Sequence, residues 1–393
     1  MHKMTGVPGD DSQSILNNVR EIACDFASQR SERQRRRELV TEDFDRLRES
    51  GYLMVAVPTT FGGIWDGDTV GTRMVCEILK TLAHGDSSVA LVAAMHPAVI
   101  ESTGWLSIPA APEPYTAAWD EQRRWAFQTV SDGHFWGTII SEPGSGGDNT
   151  QSNSTAKLAS NDVHYLLSGQ KHFGSGSGIT SYMVTHAIPD GEVTPDTFVL
   201  DMRDMVWDGS SGVELIAPWD GHGMTATQSH GMGFDNFPAT RLAFPGDHRR
   251  TILAGIDRPQ GALFVAVITG IVETAVITAR RQLESKRDRM RPYERVEWAR
   301  VEIEAWLVQQ AYEGMLREVE TGRSSARNSL LAKGAVAELA ESVLLRISKV
   351  IGGGAYSRHT PYGFWLEDVR ALGFLRPPWA LAFERVFEGS WNS

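Results

Sequence analysis

Apolar residues recur every three or four positions early in the chain: Ile15, Val19, Ile22 and Phe26, then Phe44 and Leu47. That spacing places them on single helix faces. Thr41 followed by Glu42 and Asp43 reads as a helix start, because acids suit the positive first turn. A loop at 57–63 interrupts the pattern, which resumes over 69–83 and 87–100. From about Trp136 to Phe244 short apolar runs alternate with Gly, Ser, Thr and Asn clusters, at 137–140, 164–167, 182–186, 197–200 and 242–244. This rhythm predicts a small antiparallel β domain. Long amphipathic segments then return at 262–281, 294–319 and 328–350, which predicts a helical bundle. The last segment runs into Gly352-Gly353-Gly354, where a helix can stop cheaply. The expected class is α+β, with an N-terminal α-helical domain (1–135), a central β domain (136–245) and a C-terminal helical bundle (246–393).

Composition narrows the function classes. Of 393 residues, 41% are hydrophobic and 22% charged, which suits a globular chain of two or three domains and excludes wholesale disorder. The net charge of −11 argues against non-specific nucleic-acid or anionic-membrane binding. No stretch reaches the roughly 18 uncharged apolar residues of a membrane helix, since the most apolar segment, 261–277, contains Glu273. The polar first residues lack a signal-peptide core. Cys24 and Cys76 are too few for a disulfide framework, so a cytoplasmic location is expected. One basic run, residues 30–37, holds five arginines; it reads as a solvated helix end or as a patch for phosphate or an acidic partner.

Two glycine-rich segments carry the candidate chemistry. Ser141-Glu-Pro-Gly-Ser-Gly-Gly-Asp148 follows a strand-like run, and its backbone N–H groups can converge on a ligand without Cβ obstruction. It is neither a Walker loop nor a G-x-G-x-x-G fingerprint. Gly169-Gln-Lys-His-Phe-Gly-Ser-Gly-Ser-Gly178 sets Phe173 two residues from the hydroxyl of Ser175, a pairing that can border a flat heteroaromatic ring. Taken alone, a tight β-turn for the first segment and a glycine-rich hairpin for the second are the plainer readings. The histidines form no metal-ligand spacing, and no metal is expected.

These segments resemble motifs of the acyl-CoA dehydrogenase superfamily of flavoproteins, in order along nearly the whole chain. Val57-Pro-Thr-Thr-Phe-Gly-Gly63 is similar to its Pro-Glu-Glu-Tyr-Gly-Gly loop, and residues 141–148 to its Thr-Glu-Pro-Gly-Ala-Gly-Ser-Asp segment. Gly169-Gln-Lys-His-Phe-Gly-Ser175 is similar to Gly-x-Lys-x-Trp-Ile-Thr. Gly223-Met-Thr-Ala-Thr-Gln-Ser229 with Phe234 resembles Gly-x-Arg-x-Thr-x-Ser…Phe. Gly352-Gly-Gly-Ala-Tyr356, Pro361 and Glu367-Asp368 follow its Gly-Gly-x-Gly…Pro…Arg-Asp signature. The resemblance implies a helical domain, a β domain and a C-terminal four-helix bundle, assembled as a homodimer or homotetramer. It implies FAD as cofactor, with FMN as the alternative. Thr138, Ile140, Ser141, Gly146, Gly147, Phe173 and Ser175 would hold the ring; Gly352 and Gly353 of a neighbouring subunit, with Lys349 and Arg287, would hold the pyrophosphate and adenine side.

The departures bear on the reaction. Counted from Gly352, the family's catalytic glutamate falls on Arg376, and a guanidinium stays protonated and cannot abstract a proton. Asp257 is a candidate for a relocated base, with Gln260 as the other occupant of that place. Glu388 repeats the motif text twelve residues late and reads as coincidence. His96 falls where the monooxygenase branch has a histidine facing the flavin; a packed helix histidine is the alternative. Lys349 replaces a glutamine, Trp298 another, and no Phe-Gly follows Arg287 or Arg289. Three functions are therefore expected in order: oxidation of an acyl thioester or related CH–CH group; a two-component monooxygenase using reduced flavin from a reductase and O₂; and a non-catalytic partner subunit. A carrier protein is a further candidate partner. Arg376 would suit an anionic substrate group or a salt bridge to a nearby acid.

Overall fold

The computed structural model describes residues 8–148, 151–159, 164–254 and 260–391. The N-terminal part holds helices α1 (Pro8–Ser28), α2 (Arg30–Arg33), α3 (Thr41–Glu49), α4 (Asp68–Ala83), α5 (Ser87–Ser102) and α6 (Thr116–Ser131). The expected stripe of Ile15, Val19, Ile22 and Phe26 is buried along α1. α5 differs: residues 88–101 are all buried, so it is a core helix apolar on every side. Asp86 caps its N-terminus by accepting from Val89 N–H at 3.0 Å.

The arginine run is neither a uniformly solvated face nor an open patch. Arg33 is buried between Asp43 (2.6 Å) and Asp86 (2.7 Å), and the Arg30 guanidinium lies 5.0 Å from the Trp365 ring. Arg35 and Arg37 are exposed.

The sheet contains β1 (Trp136–Thr138), β2 (Thr155–Leu158), β3 (Tyr165–Gly174), β4 (Tyr182–Pro189), β5 (Asp196–Asp201), β6 (Val213–Ala217) and β7 (His230–Arg241). Strands β2, β3, β7 and β5 close onto β4, while β6 extends the sheet beside β7. Most pairings are antiparallel as expected, but β1 and β2 run parallel to β4. They share one of its edges in succession, at Tyr182–Val184 and Ile188–Pro189. The run at 242–244 is not a strand: Leu242 and Phe244 turn into the helical core, and the Phe244 ring packs against Tyr115 and Trp119.

The C-terminal part holds α7 (Gly246–Ala254), α8 (Gln260–Leu283), α9 (Pro292–Glu320), α10 (Ala326–Ile351), α11 (Tyr362–Phe374) and α12 (Trp379–Gly389). By length and composition α8 could cross a membrane, but it packs against α4, α5, α9, α10 and α11 as the bundle's centre. Pro292 opens α9 at a position where no N–H is needed, and Gly352 at φ 81° ends α10. The two helical parts share one apolar core, whereas the sheet keeps its own around Leu167, Met183, Leu200 and Met232. Asp368 of α11 joins the parts: Ser87 Oγ and Met224 N–H donate to its carboxylate at 2.5 and 2.6 Å.

Candidate active site

One wall comes from the sheet. Beyond β1, the Ser141 carbonyl accepts from His172 N–H at 2.7 Å, which pins the following loop to β3. Gly144, Gly146 and Gly147 have φ of 82°, 58° and 84°, a backbone state that L-residues resist. A Cβ on Gly147 would lie 2.8 Å from the Pro378 ring, so this glycine lets the loop touch the bundle. Glu142 anchors the loop from below. It forms a buried ion pair with Lys171 and accepts from Ser152 Oγ and Asn153 N–H, both at 2.5 Å. Burial would raise its pKa, but these donors outweigh burial and hold the carboxyl down at about 2. Lys171 also donates to the His186 carbonyl at 2.5 Å.

Phe173 is a non-glycine residue at φ 59° and is 60% exposed, with the Trp219 ring edge-on at 6.3 Å. A strained, solvent-facing aromatic is costly unless something uses it. Ser175 behaves otherwise than expected: its hydroxyl is buried and pairs with Ser229 Oγ at 2.8 Å, in a chain that continues to Thr227. Thr138 Oγ1 donates to the Val184 carbonyl at 3.1 Å, and Ile140 is half-buried.

The opposite wall is the linker between α11 and α12. Lys333 of α10 is buried and donates to the carbonyls of Leu375 (2.6 Å) and Pro377 (2.5 Å), on either side of Arg376. Burial pulls the pKa of Lys333 down to about 8. So held, Arg376 reaches the sheet side, and its Nη2 donates to Ser141 Oγ at 2.8 Å. Its Nη1 is buried with no hydrogen-bond partner among the described residues. Burial lowers the Arg376 pKa to about 10, which leaves it a cation at neutral pH and no base. Burial and then the Arg376 charge push His186 down to about 3, so that ring is neutral.

The remaining candidates lie elsewhere. His96 does not face the cleft: it is fully buried, with Nε2 donating to the Leu53 carbonyl and Nδ1 accepting from Trp136 N–H, both at 3.2 Å. Burial lowers its pKa to about 4, so it is the packed neutral histidine of an apolar helix. Asp257 lies outside the described residues, as does the side chain of Gln260. Arg287, Lys349, Gly352 and Gly353 are exposed around the end of α10, where Lys286 Nζ holds the Val350 carbonyl at 2.9 Å. Lys349 Nζ lies 3.8 Å from Glu297, and none of the four bonds to a cleft residue among those described. Glu388 is exposed on α12.

The sheet wall therefore offers open glycine backbone and the exposed Phe173 ring beside the half-buried Trp219. Those donors and faces fit a flat, carbonyl-rich heteroaromatic ring.

No family model matches the chain. Its fold is that of the acyl-CoA dehydrogenases, and its sequence relatives and structural neighbours are acyl-CoA dehydrogenase-like flavoproteins, monooxygenases among them. In sequence the chain is 25% identical over 278 residues to the dibenzothiophene monooxygenase of Mycolicibacterium goodii, covering 69% of this chain and 61% of that protein. It is 24% identical over 356 residues to the amino sugar nitrososynthase DnmZ of Streptomyces peucetius, covering 85% and 82%. Three of the sequence matches span 54%, 60% and 61% of the relatives' own lengths. Among solved structures, FMN-bound TdsC from Paenibacillus sp. A11-2 superposes with a TM-score of 0.79 at 20% identity, over 96% of this chain and 97% of that one. Butyryl-CoA dehydrogenase from Megasphaera elsdenii gives 0.76 at 18% identity, over 99% of both chains.

Proposed function

We propose that the chain is a flavin-dependent oxidoreductase, and specifically a monooxygenase that takes reduced flavin from a separate reductase and uses O₂. The observation that carries this reading is Arg376 in the cleft, bonded to Ser141: the linker residue facing the sheet is a permanent cation and not a carboxylate. The relatives named as monooxygenases support the same choice over the dehydrogenation expected first. A reduced flavin bound there supplies the two electrons with which O₂ is split, one oxygen atom entering the substrate and the other leaving as water.

Residues of this chain do the rest. Gly144, Gly146 and Gly147 would hold the ring through open backbone, Phe173 and Trp219 would pack against it, and Ser141 positions the Arg376 guanidinium. The Lys171–Glu142 pair keeps the glycine loop in place, so little reorganisation is needed when ligand arrives. FMN is preferred to FAD. Solved neighbours are described with FMN, and on the adenine side Trp298 joins an apolar cluster with Leu283, Met290 and Val350 where the family motif has a glutamine. The substrate is a small molecule. Exposed Tyr293, Val296, Ile303 and Trp306 on α9 support self-association through the bundle.

The test is turnover. Product formed only when both reduced flavin and O₂ are present supports the proposal; anaerobic bleaching of bound flavin by acyl-CoA thioesters supports dehydrogenation instead.

A further inference from the structure

We infer that Arg376 is a specificity residue that binds an anionic oxygen group, a carboxylate or a phosphate, on the substrate. The inference rests on the reading of this cleft as the substrate site and adds the class of substrate it takes.

The local charges are otherwise settled. Lys171 is matched by Glu142, and His186 is neutral. No carboxylate lies at ion-pair distance from Arg376 among the described residues, and Asp148 acts on it only at longer range. Among the described residues the salt bridge expected as the alternative role is thus not formed. One fork of the guanidinium, Nη2, is spent on a neutral hydroxyl, while Nη1 is buried with nothing to donate to. An unmatched buried cation destabilises a fold, because desolvation is not offset by a counter-charge. Here the fold goes further and secures it. Lys333, itself buried, clamps the carbonyls on both sides of Arg376, and Gly147 is spared a Cβ so that the loop can close on Pro378. Such a rigid, unsatisfied donor is what an anionic oxygen completes, and arginine suits both carboxylate and phosphate geometry.

The test titrates benzoate, its neutral counterpart benzamide, and inorganic phosphate into the purified full chain by calorimetry. FMN binding is followed separately through quenching of its fluorescence. The wild type should bind benzoate or phosphate, and the tighter of the two assigns the anion. Benzamide should bind about 10- to 100-fold more weakly, the loss expected for one charge-assisted hydrogen bond. Arg376→Gln should erase that preference while keeping the thermal transition and FMN affinity of the wild type. Arg376→Lys should retain part of it, which separates loss of charge from loss of fold. Equal binding of benzoate and benzamide, no binding of either anion, or an unchanged preference in Arg376→Gln would overturn the inference. So would an Arg376→Gln chain that loses FMN and keeps the anion, since the arginine would then serve the cofactor. A wild type that leaves FMN fluorescence unquenched sinks the monooxygenase reading alone, because the anion titrations are read without flavin.

Discussion

Ser141 and Arg376 stand 235 positions apart, yet Arg376 Nη2 donates to Ser141 Oγ at 2.8 Å. This bond ties the glycine loop of the sheet to the linker of the bundle, and the candidate site is the junction where the two meet.

The two partners should respond oppositely to removal. Ser141→Ala takes the acceptor from Nη2 of the half-buried Arg376, beside an Nη1 that is already buried without one, and should cost about 1–3 kcal/mol. Arg376→Met removes the unmatched charge itself and should leave stability within about 1 kcal/mol of wild type, or raise it, while abolishing turnover. Denaturant melts of both variants beside activity check the split.

Lys171→Met would strand the Glu142 carboxylate in a buried site. The expected loss is about 3–5 kcal/mol, the cost of breaking a buried pair from one side. A double variant, Lys171→Met with Glu142→Leu, should recover much of that loss in the same melts.

Acid should weaken the fold through two histidines. His96 and His186 are neutral in the folded chain, with pKa values pushed down to about 4 and 3 from 6.5. The unfolded chain therefore takes up more protons below pH 6.5, and stability falls as pH drops from there toward 4. For His96 alone the shift corresponds to about 3 kcal/mol. Asp368 works the other way: burial raises its pKa from 3.8 to about 6, so its contribution is lost as pH rises across that range. Stability measured from pH 4 to 7 should rise with pH overall, and His96→Gln should flatten the slope. A slope identical to wild type would show that His96 titrates normally.

Much of this was legible in the sequence. The stripe Ile15–Val19–Ile22–Phe26 and the glycine stop at Gly352 read correctly, because a 3.6-residue period and a positive φ leave direct marks on composition. The place of Arg376 was visible only through the resemblance, since no local pattern says that a linker residue turns toward a sheet. His96 misled because in α5 every face is buried, so a polar residue there marks a satisfied core position as readily as a site. Ser175 misled because its partner Ser229 arrives from 54 residues away. Lys333 was missed although its phase announces it: it sits on the same face as Val336, Ala337, Ala340, Val343 and Ile347, where a lysine must be buried. The parallel pairing of β1 and β2 with β4 has no sequence signature, because it follows from how the sheet closes.

Gly147→Ala should impair the cleft without reaching the core. The residue sits at φ 84°, and its Cβ would press on Pro378 at 2.8 Å. A loss of about 1–3 kcal/mol and weaker FMN binding are expected. Gly144→Ala has the same backbone state but open space at its Cβ, so it should lose only the conformational part.

The most direct test of the central claim is to measure the affinity of the purified chain for FMN in its oxidised form and, under anaerobic conditions, in its reduced form. Tighter binding of reduced, freely exchanging FMN, followed by product only on admission of O₂, is the expected result. Tightly held oxidised flavin that an acyl-CoA thioester bleaches without O₂ would contradict it.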